Sequence, residues 1–127
     1  MSKWYLFLGA VNGFLAVAAG AFAAHGLQGQ IEERALHAFQ TGAEYQGLHA
    51  LALLAVGLLR RSGGPAPWLD AAGWCLLTGI LLFSGSLYAL SLSGYRGLGM
   101  ITPFGGLLLL TGWLCLAAAS LKLPRKD

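Results

Sequence analysis

A chain of 127 residues that is 57% hydrophobic and 10% charged lies far from the roughly quarter-charged composition of soluble domains, which excludes an ordinary water-soluble fold and points to lipid. Its formal net charge of +3, eight Lys and Arg against five Asp and Glu, sits mostly at the flanks of hydrophobic runs. It therefore reads as membrane topology and head-group contact, and nucleic-acid binding is not expected.

Crossing the hydrocarbon core takes about 20 apolar residues. Four segments qualify, residues 4–24, 42–59, 71–93 and 101–121, so a single all-α domain is expected over residues 1–127: a polytopic membrane four-helix bundle. The first segment carries no charge and only Asn12 as a strongly polar group. Lys3 before it resembles the start of a signal peptide, but the run is long enough to span and is read as a retained helix. Gly9, Gly13, Ala16 and Gly20 share one face at spacings of four, three and four. Such a stripe of small residues lets another backbone come close, within the bundle or across a dimer.

Residues 30–41 follow. Ile31, Ala35 and Phe39 recur every four residues while Glu32, Glu33 and Arg34 point elsewhere. This amphipathic pattern either lies at the interface or extends the second helix outward. The second segment holds Glu44 and His49 and is the weakest by hydropathy. Gly63, Gly64, Pro65 and Pro67 break the chain in the loop 60–68, and Asp70 can then start the third helix. A tight turn around Gly94, Tyr95, Arg96, Gly97 and Gly99 leads to the fourth, where Pro103 suits a first turn because its missing N–H needs no intrahelical partner. Cys75 and Cys115 lie inside apolar runs and read as small hydrophobes, not as a disulfide.

With four crossings, Lys3, Arg60, Arg61, Lys122, Arg125 and Lys126 fall on one side and Arg34 and Arg96 on the other. Six against two places both termini in the cytoplasm. Three crossings would also divide the charges six to two, so the second crossing rests on the apolar run 48–59, which would otherwise have no membrane to bury it. Trp4, Tyr5, Trp68, Trp74 and Tyr95 lie near the expected membrane edges and suit belt positions, whereas Trp113 lies deeper and reads as packing.

Ionisable groups within a membrane are candidate functional sites. Polar residues from all four helices gather in the outer half: His25, Glu44, Tyr45, His49, Ser84, Ser86, Tyr88 and Thr102. The inner half is nearly apolar apart from Asn12, Thr78 and Thr111. The cluster is either a hydrogen-bond network that fixes the packing, a cavity for a small molecule, lipid head group or quinone-like ligand, or a proton or ion path with Glu44 as carrier. No metal or other cofactor is expected, since no two His stand at i, i+4. Bis-His haem would need His25 or His37 to meet His49, and His37 lies about three turns away on a continuous helix. Catalysis by Ser84 or Ser86 with His49 and Glu44 is not expected either, because residues five apart point about 140° apart around a helix.

The motifs Ala21-Phe22-Ala23-Ala24-His25-Gly26-Leu27, Tyr45-Gln46-x-x-His49-Ala50, Leu82-Phe83-Ser84-Gly85-Ser86-Leu87-Tyr88 and Ile101-Thr102-Pro103-x-Gly105-Gly106, with Gly112-Trp113, resemble one family in order along nearly the whole chain. It is the domain-of-unknown-function 423 family of small membrane proteins, YgdD- and YwdK-like and transmembrane protein 256-like. The resemblance implies a multi-pass protein of the bacterial inner membrane with no assigned activity. Its expected partners are the lipid bilayer and a second copy or another membrane protein.

Overall fold

The computed structural model describes residues 1–124, and these contain four long helices and no strand. Helix α1 spans Ser2–Phe22, α2 Glu33–Arg61, α3 Ala66–Ser93 and α4 Thr102–Leu121. Consecutive helices run antiparallel: Gly9 meets Ala50 and Leu54 while Gly57 meets Leu6, Gly42 faces Ser84, and Gly79 and Gly112 face Leu109 and Leu76. The first two registers pair α1 with α2, the third pairs α2 with α3, and the last two pair α3 with α4. One end of the bundle carries the amino terminus, the α2–α3 turn and the close of α4. It is called the terminal end here, and the opposite one the loop end. Arg125 and Lys126, two of the basic residues assigned to the terminal end, lie outside the described residues.

Of the two readings of residues 30–41, extension of the second helix holds, while the third helix starts earlier than the expected residue 71. Residues 30–41 do not lie apart at the interface; α2 begins at Glu33 and takes the amphipathic stretch as its first turns. Helix α3 begins at Ala66, with Pro65 at its N-cap and Pro67 inside the first turn, where a missing N–H costs no hydrogen bond. The first helix continues past Phe22 as a π-helical turn, Ala23–Leu27, so His25 is helical. A Cβ at Gly26 would sit 2.7 Å from the Phe22 ring, which would have to shift to admit it. Gly94, at φ +73°, ends α3 with its N–H on the Leu90 carbonyl at 2.8 Å, a left-handed cap that glycine adopts without strain.

Among the described residues, three stretches are long and apolar enough to cross a membrane: Ser2–Leu27, Ala66–Ser93 and Arg96–Leu121. Helix α2 is not apolar enough by the same measure, yet its contacts with α1 and α3 run from one end of them to the other. Its position between neighbours explains part of this. Ten residues of α2 are buried against four in α1, and among them Gln46 and His49 meet protein, whereas Gln40 and Glu44 are exposed. The outward surfaces are apolar, with Phe14, Val17, Leu81 and Leu114 all exposed.

Two apolar clusters hold the bundle. The larger, at the terminal end, centres on Leu53, Val56, Leu69, Leu76, Ile80 and Leu109, with Tyr5 packed into it. The smaller, at the loop end, joins Ala23, Leu27 and Phe39. Cys75 and Cys115 are both half-buried and unbridged. Most of the buried polar side chains lie between the two clusters.

Candidate functional site

Asn12 opens the polar layer. Alone among the apolar residues of α1, its amide donates to the Leu8 carbonyl at 2.8 Å and accepts from the Gln46 amide at 2.9 Å. The Gln46 carbonyl in turn accepts from the Tyr88 hydroxyl at 2.7 Å. Three helices are thus joined by one directional chain that begins at a phenol and ends on a backbone carbonyl. Tyr88 belongs to the expected cluster. Asn12, which its depth assigns to the inner half, and Gln46, a motif residue, join it in the same chain. A single strongly polar residue in a lipid-crossing helix requires a partner, and that signal was present in the sequence.

His49 is buried and fully bonded. Its Nδ1 lies 2.7 Å from the Tyr45 carbonyl, and its Nε2 lies 3.0 Å from the Trp113 indole nitrogen. A carbonyl only accepts and an indole N–H only donates. The two contacts together therefore fix a neutral imidazole with its proton on Nδ1. Tyr45 stacks beside the imidazole at 5.9 Å and packs on Phe83 at 4.6 Å. Trp113, which had read as packing alone, is the hydrogen-bond partner that reasoning from α2 could not supply.

The serines link helices by short bonds. Ser84 donates to the Gly42 carbonyl at 2.7 Å, an approach possible because Gly42 has no side chain. Ser86 donates to the Phe83 carbonyl at 3.0 Å and shares a hydrogen bond with the Thr102 hydroxyl, joining α3 to α4. At the terminal end the Tyr5 hydroxyl donates to Asp70 at 2.7 Å, and Arg60 bonds the same oxygen at 3.2 Å. No buried side-chain nitrogen or oxygen among the described residues lacks a partner.

Two expected members lie outside this layer. His25 is exposed on the π-helical turn. Glu44 is exposed on the far side of α2 from His49, so the two do not form one cluster; five residues of separation turn them about 140° apart. Instead Glu44 and Gln40 line an open groove of about 670 Å³ between α1 and α2, with Gly13, Ala16, Val17, Gly20, Gly47 and Leu51 as its other walls. The small-residue stripe of α1 is divided accordingly. Gly9 is pressed against Leu54, whereas Gly13 and Gly20 have no neighbour within 4 Å of an added Cβ. On the opposite face His49, Tyr45, Phe83, Pro103 and Trp113 border a second, mostly apolar recess of about 630 Å³. No group of three or more His, Cys, Asp or Glu residues able to hold a metal occurs among the described residues.

Residues 19–106 match the family model described as "Protein of unknown function (DUF423)". The chain is 48% identical over 122 residues to a UPF0382 membrane protein of Haemophilus influenzae, covering 96% of this chain and 97% of the relative. It is 46% identical to one from Staphylococcus epidermidis, covering 94% and 97%, and 42% identical to UPF0382 membrane protein YwdK of Bacillus subtilis, covering 94% and 98%. No solved structure matches. The chain belongs to the DUF423 family of membrane proteins, a family of unknown function.

Proposed function

We propose that this DUF423 member is a non-catalytic accessory protein of the bacterial inner membrane, with both termini in the cytoplasm, that acts by self-association through the α1–α2 groove. The observation that carries this reading is the placement of Glu44. The buried polar groups are satisfied within the chain, while Glu44 and Gln40 are exposed in the open α1–α2 groove and have no partner among the described residues. A carboxyl group in lipid is costly unless it finds one.

A second copy supplies what the groove lacks. Gln40 and Glu44 are one turn apart, so their amide and carboxyl form a self-complementary pair across a two-fold axis, the commonest symmetry of oligomers. Leu51, exposed and on the wall of the groove, stands as a knob beside the hollow left by Gly13 and Gly20. The test is energy transfer between labelled copies in lipid vesicles. Wild type should associate, and Val17→Trp, which fills the groove, and Glu44→Leu should associate less while melting no lower in detergent. Monomers alone in the wild type, or equal association in both variants, would remove the reading.

A ligand-binding role keeps one supporting feature, the apolar recess beside His49, and loses Glu44 from its site. Quenching of Trp113 fluorescence by a short-chain quinone, abolished in His49→Ala, would favour it over self-association as the main role.

A further inference from the structure

At the loop end, a cleft of about 440 Å³ lies between the start of α2 and the end of α3. Its walls include Glu32 and Arg34 from one side and Ser91, Gly94 and Arg96 from the other. Arg34 and Arg96 are the basic residues of this end, far apart in sequence, and the packing of α2 on α3 brings both to the same opening. Neither lies within 4.0 Å of a carboxylate among the described residues; the ion pair found there, Arg60 with Asp70, is at the other end. The cleft sits where the spans end, at the depth of lipid head groups, and the exposed Tyr95 beside Arg96 suits the same layer.

We propose that this cleft holds the head group of an amine-bearing phospholipid, its phosphodiester on Arg34 and Arg96 and its ammonium toward Glu32. Guanidinium groups match phosphate oxygens with paired, charge-assisted hydrogen bonds. Glu32 decides the class. A carboxylate beside two cations disfavours a purely anionic head group relative to one carrying its own positive charge. The bilayer supplies phosphate at this depth at high local concentration, so lipid and not free phosphate is the occupant. This site is separate from the α1–α2 groove, and the two readings stand or fall independently.

The test uses the full chain in detergent, with retained lipid measured by native mass spectrometry after titration with phosphatidylethanolamine, phosphatidylglycerol or inorganic phosphate. Phosphatidylethanolamine should bind best, and Arg34→Gln with Arg96→Gln should weaken it about tenfold or more, the loss expected for charge-assisted hydrogen bonds. Glu32→Gln should erase the preference for phosphatidylethanolamine over phosphatidylglycerol while leaving lipid binding in place. Since these side chains are exposed, all variants should melt with the wild type in lipid-free detergent, which separates lost binding from lost folding. Equal retention of lipid by the double variant, a preference for phosphatidylglycerol in the wild type, or displacement of lipid by millimolar phosphate would overturn the proposal.

Discussion

The Trp113 indole donates to His49 across 3.0 Å, from α4 to α2, and so decides which nitrogen of the imidazole carries the proton. With Nδ1–H held by the Tyr45 carbonyl, the neutral Nδ1–H tautomer is the one form that satisfies both neighbours. Nitrogen chemical shifts of His49 should therefore show a protonated Nδ1 and a bare Nε2. Trp113→Phe keeps the ring and removes the donor, leaving a buried acceptor unpaired. A loss of about 1–3 kcal/mol in reversible unfolding is expected. An unchanged stability together with the opposite tautomer would contradict the arrangement.

Gln46 joins Tyr88 to Asn12 and so couples three helices through one side chain. Gln46→Leu strands both partners, and its cost should exceed the approximately 0.6 kcal/mol average of an interhelical hydrogen bond in a membrane, reaching about 1–3 kcal/mol. Tyr88→Phe and Asn12→Ala should each cost less once Gln46 has been replaced. A double-mutant cycle that found the effects simply additive would show that the chain is not acting as a unit.

How much of this was legible depends on whether a residue's neighbours lie on its own helix. The three apolar helices were readable from hydropathy because lipid imposes one requirement on every exposed face. The start of α2 was not, since Glu33 and Arg34 suit an interfacial segment as well as a helix continuing beyond the membrane. The polar layer was visible as residue types at a shared depth: Ser84, Ser86, Tyr88 and His49 do lie inside the bundle. Rotation about each helix divides it into pairs, and this divided Glu44 from His49. Trp113 reads as packing alone because an indole in an apolar helix reads as bulk. Its bond to His49 reaches between two helices that hardly pack on each other, each being held against α3, and no local pattern encodes that reach.

The glycines separate close packing from open surface, and this can be tested with single methyl groups. A Cβ on Gly105 would lie 2.8 Å from the Leu82 carbonyl carbon and the Phe83 Cα, main-chain atoms that cannot move without shifting α3 from α4. Gly105→Ala should cost about 1–3 kcal/mol, the range for overpacking. Gly13→Ala and Gly20→Ala meet nothing within 4 Å and should leave monomer stability unchanged or slightly raised. Equal losses at all three positions would mean that the α1 stripe is packed inside the monomer.

The crossing of α2 has the sharpest consequence, because hydropathy alone does not award it a span. Gly42 faces Ser84 near the loop end and Arg60 bonds Asp70 near the terminal end, so α2 traverses the same depth as α3. The turn at Gly29 and the turn at Gly63, both with positive φ, must then lie on opposite sides of the membrane. Single cysteines introduced at Gln28 and Ser62, with Cys75 and Cys115 replaced by Ala, should react with a membrane-impermeant maleimide from opposite faces in intact cells and inverted vesicles. Ser62 should label from the cytoplasmic face, together with a carboxy-terminal reporter. Labelling of both positions from one face would show that α2 does not cross. It would also leave the buried bonds of Gln46 and His49 without the bundle that explains them.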